Sequence, residues 1–84
     1  MKYIFTKHLL YKLNTLKVVG KKITKKIILE TVQEPEDLDS ATDYPNLISS
    51  AKLDEDRVLR VVYRLEKKKT IIITFYPAKK GRYY

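Results

Sequence analysis

The stretch RVLRVVYRLEKKKTIIITFY, residues 57–76, decides the fold of this chain. Its two halves are dominated by β-branched and aromatic residues, and the charged segment Glu66–Lys69 separates them. This pattern predicts strands at about 57–65 and 70–76 that are joined by a turn. Pro77 is expected to end the second strand, because proline cannot donate a hydrogen bond to a sheet.

The rest of the chain predicts one more strand on each side of two helices. The expected elements are a strand at Lys2–Phe5, a helix from Lys7 to about Lys17, a helix from near Thr24 to Pro35, a loop at 36–46 and a strand at 47–53. Thr6 precedes the first helix, where its side-chain oxygen can cap the first turn. The predicted class is α+β, an antiparallel sheet with two helices packed on one face, in a single domain that spans residues 1–84.

Alternation sorts the strand residues into two faces, because successive side chains point to opposite sides of a sheet. The odd-numbered set is almost wholly apolar and is predicted to pack under the helices: Leu47, Leu53, Leu59, Val61, Tyr63, Leu65, Ile71, Ile73 and Phe75. The even-numbered set is predicted to form an open face: Lys52, Val58, Arg60, Val62, Arg64, Thr70, Ile72, Thr74 and Tyr76. This phase sets Arg60 opposite Tyr76 and Tyr63 opposite Ile73. Val58, Val62 and Ile72 would then form an apolar patch that needs a cover.

Charge is distributed unevenly along the 84 residues, which have a formal net charge of +8. Residues 1–33 contain eight lysines and one acid, residues 34–56 contain eight acids and one lysine, and residues 57–84 contain nine basic residues and one acid. If the two basic segments share a face, its field suits phosphate. The alternative is a lysine-rich surface that only keeps the protein in solution. Within the acidic segment 34–56, the stretch 34–43 is expected to be a solvated loop or to fold over the basic face.

Composition excludes several kinds of site. The chain has no cysteine, which excludes disulfides, thiolate metal sites and cysteine nucleophiles, and its single histidine, His8, excludes a site with several histidines. No metal or cofactor is therefore expected. The N-terminus lacks the pattern of a signal peptide, and no apolar run approaches the ~20 residues of a membrane span. We therefore expect a cytoplasmic protein with no membrane association.

Several motifs occur in a defined order along nearly the whole chain. They are Thr6-x-His8, a basic residue four positions later (Lys12), a glycine, a helix ending in proline, Arg-Val-Val-Tyr at 60–63 and Thr-x-Tyr-Pro at 74–77. In this order the chain resembles a small uncharacterised branch of the RelE/ParE toxin superfamily. Lys12 stands where that branch more often has arginine, which weakens the argument for a bidentate phosphate contact.

The resemblance implies a β-α-α-β-β-β fold and a toxin of a toxin–antitoxin system. RelE-like members cleave messenger RNA, usually on the ribosome and without a metal, whereas ParE-like members inhibit gyrase. The partners to expect are RNA or the ribosome, an antitoxin protein and, as an open alternative, a second copy of the chain. A non-catalytic module that binds nucleic acid or protein is the main alternative function.

RNA cleavage by the 2′-hydroxyl requires a base, an acid and cations that stabilise the additional phosphate charge. The candidate catalytic residues are His8, Arg60, Arg64 and Tyr76. The candidate nucleic-acid-binding residues are Lys12, Lys52, Lys79, Lys80, Arg82 and Tyr83. Each has a simpler interpretation as well: a lone histidine in a first helical turn commonly packs or caps, and lysine and arginine are common on any surface.

Overall fold

The computed structural model describes residues 2–15 and 23–81, which form an α+β fold. The strands are β1 (Lys2–Phe5), β2 (Asp37–Asp39), β3 (Leu47–Lys52), β4 (Arg57–Glu66) and β5 (Lys69–Lys79), and the helices are α1 (Lys7–Thr15) and α2 (Lys25–Gln33). The α+β class is confirmed. The sheet differs from the prediction because it has five strands, in the order β1-β5-β4-β3-β2, and because β1 runs parallel to β5.

The unpredicted strand, β2, lies inside the segment expected to be a loop. Asp37–Asp39 pairs antiparallel with Ile48–Ser50 of β3. The strand has three residues, an aspartate at each end and one leucine between them, which is too short to reveal an apolar alternation. A short, charged strand is typical of a sheet edge that is protected against pairing with another chain.

Both helices begin at threonine caps, the predicted Thr6 and the unpredicted Thr24, and pack on the same face of the sheet. The side-chain oxygens of Thr6 and Thr24 each accept a hydrogen bond from the backbone N–H three residues further on. Leu9 of α1 and Ile28 of α2 are fully buried and share one hydrophobic cluster with Val61 of β4. The prediction of two helices on one face is therefore confirmed. The predicted end of the first helix, beyond Thr15, lies outside the described residues.

An irregularity in β5 changes which of its side chains face the helices. Val62 lies opposite Thr74. Its neighbour Tyr63 lies opposite Ile72, so Ile73 is an extra residue in β5. Such a bulge reverses the alternation on one side of it. The prediction that Ile72 lies on the open face is wrong, because its side chain is fully buried in the helix-side core.

The ends of β5 also differ from the prediction. The turn contains only Lys67 and Lys68, and Lys68 takes a left-handed φ of 58°. Pro77 does not end the strand, which continues to Lys79. The β1 ladder reaches only Ile72, so at Pro77 the strand pairs with β4 alone. There the missing N–H can face away from the sheet, as proline requires.

Candidate functional site

A row of polar residues crosses four strands on the sheet face opposite the helices. The row consists of Asp37, Ser50, Arg60 and Tyr76, which are neighbours in the register from β2 to β5. Directly opposed residues project to the same side of a sheet. Leu59 and Val61, which flank Arg60, belong to the helix-side core. The row therefore lies on the face that the helices leave uncovered, as predicted for Arg60 and Tyr76.

Arg60 occupies the centre of this row and is buried, with 3% of its surface exposed. Its Nε donates a hydrogen bond to the Tyr76 hydroxyl oxygen at 2.9 Å, and its Nη1 donates to Ser50 Oγ at 3.3 Å. Its guanidinium carbon lies 5.8 Å from the centre of the Tyr76 ring, within cation–π range. The sequence correctly places Arg60 beside Tyr76, but the expectation of an open surface at Arg60 is wrong.

The aliphatic side chains of this face are buried as well. Val58 is fully buried, and Val62 is 7% exposed. In the ladder Val58 lies between Lys52 and Ala78. The predicted bare apolar patch is therefore absent at the positions proposed for it, and these side chains need no partner protein to shield them.

Part of the acidic segment, β2, is the edge strand of the sheet, and the carboxylate of Asp39 accepts hydrogen bonds from the turn that follows this strand. The side chain of Thr42 is the main group that holds the pKa of Asp39 at about 2, and the backbone N–H groups of Thr42 and Ala41 and the charge of Arg60 also contribute. Both N–H groups donate to Asp39 Oδ1 at 2.9 Å. Asp39 is therefore ionised at neutral pH, two residues from Asp37 of the polar row on the same strand.

Arg64 lies four residues from Arg60 along β4 and is exposed. Its Nε donates to Glu66 Oε2 at 2.9 Å, and its Nη2 lies 2.7 Å from the same oxygen. The other carboxylate oxygen of Glu66 lies 3.8 Å from Lys69 Nζ. Exposed ion pairs of this kind stabilise a protein weakly. Arg64 can therefore exchange this carboxylate for a phosphate at little cost to the fold.

Thr6 and Lys12 fasten α1 to the bulged part of β5. Thr6 Oγ1 donates to the Ile73 carbonyl at 2.7 Å. Lys12 Nζ donates to the Phe75 carbonyl and, at 3.3 Å, to Thr74 Oγ1. Burial lowers the pKa of Lys12. Thr6 and Lys12, on either side of His8 in the sequence, therefore donate to backbone carbonyls of β5 beyond the end of the β1 ladder, and the Lys12 ammonium is directed at the sheet.

The remaining candidate residues lie apart from the polar row. His8 is exposed on α1, in the helical layer. The exposed candidate lysines are Lys52 at the end of β3, and Lys79 and Lys80 at the end of β5. Arg82 and Tyr83 lie outside the described residues. The structure thus brings Arg60 and Tyr76 into contact and leaves His8 and the exposed lysines separate from them.

Sequence reasoning missed two residues of interest. Ser50 is fully buried and accepts a hydrogen bond from Arg60. The signal for Ser50 lies in the predicted strand bounds, because a hairpin that pairs the strand ends Leu53 and Arg57 also places Ser50 opposite Arg60. Tyr11 is 69% exposed on α1, and its position on the face opposite Leu9 was the signal for it.

No family model, curated protein or solved structure matches this chain. Across residues 2–15 and 23–81, no group of three or more histidine, cysteine, aspartate or glutamate side chains is arranged to hold a metal ion. Neither α1 nor α2 has the length or the hydropathy that crossing a bilayer demands.

Proposed function

We propose that this chain is a RelE/ParE-like toxin, or a relative of these toxins, and that its target is RNA. The element order supports the proposal: a first strand precedes two helices on one face, and β3, β4 and β5 form a meander, with β2 inserted before them. The net charge of +8, with eight lysines and no acid in residues 1–29, favours a polyanionic target. The ribosome and a neutralising antitoxin are the partners that belong to this proposal.

The observation that carries the proposal is the contact between Arg60 and Tyr76. The guanidinium has only donors, so the Tyr76 oxygen accepts from it and the phenolic proton is free to point elsewhere. Arg60 is buried, whereas Tyr76 is only partly buried. Tyr76 is therefore the group that would meet RNA, and Arg60 acts as a positioning residue that holds the ring and its hydroxyl.

Cleavage without a metal follows from attack of the 2′-oxygen on phosphorus and loss of the 5′-oxygen, which leaves a 2′,3′-cyclic phosphate. Tyr76 would protonate the leaving 5′-oxygen, and His8 would remove the 2′-hydroxyl proton. Lys12, one helical turn after His8, contacts the carbonyl of Phe75, the residue before Tyr76. One strand of RNA would therefore have to pass around the part of β5 that β1 leaves unpaired, to meet His8 on the helix side and Tyr76 on the opposite face.

Purified protein and single-stranded RNA in the presence of EDTA test the proposal. We expect binding that weakens steeply with salt, and cleavage that leaves 5′-hydroxyl ends. Removal of the proton donor by Tyr76→Phe is expected to lower the cleavage rate about 100-fold or more while binding changes by about twofold or less. Tyr44→Phe, at an exposed tyrosine outside the polar row, is the matched control. A wild-type protein that does not bind RNA even at low salt would show that the proposal is wrong.

A non-catalytic binding module is the second candidate, and the placement of His8 favours it. His8 belongs to the helical layer, whereas Arg60 and Tyr76 lie on the opposite face of the sheet. An acid and a base that serve one phosphate must both come within hydrogen-bonding reach of it. This candidate predicts salt-dependent RNA binding with no cleavage by the wild type. A supercoiling assay separates both candidates from a ParE-like inhibitor of gyrase.

A further inference from the structure

Helix α1 presents an outward face with an aromatic ring at its centre. The exposed residues of the helix are Lys7, His8, Tyr11, Asn14 and Thr15. They recur at intervals of three and four residues, so they form one continuous surface. Tyr11 is 69% exposed, although a tyrosine ring is largely apolar. Leu9, on the opposite side of the helix, is fully buried.

The structure holds this outward face in a fixed position. Thr6, just before the helix, donates to the Ile73 carbonyl, and Lys12, next to Tyr11, donates to the Phe75 carbonyl. Thr15 Oγ1 donates to the Tyr11 carbonyl at 3.1 Å. Because α1 is held to β5 through both Thr6 and Lys12, the backbone that carries the Tyr11 ring loses little conformational freedom when a ligand binds.

The charge of the N-terminal part of the sequence, to which Tyr11 belongs, selects the kind of ligand. Residues 1–29 contain eight lysines and no acid, and Lys7 lies on the outward face itself. The positive end of the helix dipole adds to this field near Lys7 and His8. Tyr44, the other highly exposed tyrosine among the described residues at 81%, lies instead in the acidic segment beside Asp43.

We propose that Tyr11 stacks on an unpaired base of single-stranded RNA while the phosphates lie against Lys7 and the positive end of α1. Aromatic side chains beside cations are the usual means of binding single strands without sequence preference. His8, one turn before Tyr11, brings a second ring to the same surface. This inference rests on the proposed RNA target and adds a contact residue that the sequence motifs do not include.

Fluorescence anisotropy with a fluorescein-labelled oligouridine, which has no base pairs, tests the contact. Tyr11→Leu is expected to weaken binding about fivefold or more, because leucine keeps the apolar volume but loses the stacking plane. Tyr11→Phe is expected to keep the affinity within about twofold. Tyr44→Leu is the matched control, an identical substitution at a more exposed tyrosine in an acidic setting, and is expected to leave the affinity within the same limit.

The outcomes separate this contact from the proposed function. If the wild type does not bind oligouridine, the RNA target and the Tyr11 contact are both wrong. If the wild type binds and Tyr11→Leu binds equally well, or Tyr44→Leu weakens binding as much, only the Tyr11 contact is wrong. Tyr11→Gln, which also suits a helix, is a second variant expected to weaken binding like Tyr11→Leu. Because the ring is exposed, both variants should keep the wild-type circular dichroism spectrum and melting temperature.

Discussion

The two halves of β4 place the same type of residue in opposite surroundings. Arg60 and Arg64 project from the same face of the strand, four residues apart. Arg60 is 3% exposed and bonded to Ser50 and Tyr76, whereas Arg64 is exposed and paired with the nearby Glu66. Alternation along the strand therefore determines the side of the sheet but not the depth of burial.

The extent of the neighbouring strands explains the difference. Arg60 has a registered neighbour on each side, Ser50 in β3 and Tyr76 in β5. The β3 ladder ends where Leu47 meets Tyr63, so Arg64 lies beyond it and has a partner only in β5. A charged group in the middle of a sheet must find hydrogen-bond partners within the protein, whereas one near the hairpin turn has water.

The largest expected effect is a loss of stability when Arg60 is replaced by alanine, compared with the same replacement of Arg64 in a separate variant. Arg60→Ala should lower the free energy of unfolding by about 2–4 kcal/mol, because it leaves a cavity and removes the donor from the buried Ser50 hydroxyl and from the partly buried Tyr76 hydroxyl. Arg64→Ala should lower it by less than about 1 kcal/mol, since it breaks an exposed ion pair. Urea denaturation of the two variants measures both values. If both variants lose the same free energy of unfolding, the burial of Arg60 does not make its contacts more stabilising than those of the exposed Arg64.

A smaller effect on stability is expected when one of two tyrosines on opposite faces of the sheet loses its hydroxyl. The hydroxyl of Tyr76 is bonded to a charged group, and the hydroxyl of Tyr63 to a neutral one. Tyr76→Phe removes the acceptor of Arg60 Nε and should cost about 1–3 kcal/mol. Tyr63→Phe removes the hydrogen bond between its hydroxyl and Ser49 Oγ on the helix side and should cost about 1 kcal/mol. Thermal and urea unfolding of the pair give the comparison. A greater loss for Tyr63→Phe would argue that the arginine contact contributes little to the fold.

The smallest effect concerns Asp39, in the edge strand β2, and depends on pH. Folding lowers the pKa of Asp39 from 3.8 to about 2, so its ionised form stabilises the folded state at pH values above 3.8. That stability is lost as the pH falls through about 2. Asp39→Asn should therefore be less stable than the wild type at pH 5, and the gap should narrow towards pH 2. Unfolding curves at several pH values measure the gap, and a gap that is independent of pH would rule out this role for Asp39.

The sequence predicts the parts of the fold that depend on local pattern. The bounds of β3 and β4, the Thr6 cap of α1 and the contact of Arg60 with Tyr76 follow from alternation and capping. The strand β2 is not predictable in this way, because three residues with acidic ends show no period. Nor does alternation reveal the extra residue Ile73, since any bulge is a property of two paired strands rather than of one.

The candidate site is predictable to a similar extent. Motif and alternation place Arg60, Arg64 and Tyr76 on one face. They do not show that Arg60 is buried, because burial depends on how far β3 extends beside it. The role of Lys12 depends on the Phe75 carbonyl at an edge that β1 does not reach, and no pattern in the sequence of α1 indicates that carbonyl.

The bulge in β5 makes the two ends of that strand independent in their orientation. Between Ile73 and Lys79 the side chains follow one phase, and between Lys69 and Ile72 they follow the other. A deletion of Ile73 would restore a single phase and force one end to exchange its inner and outer side chains. Either Ile72 would leave the core, or Tyr76 would turn away from Arg60. The length of this strand, rather than only its composition, is therefore a constraint on which relatives of this chain can keep both the core and the arginine contact.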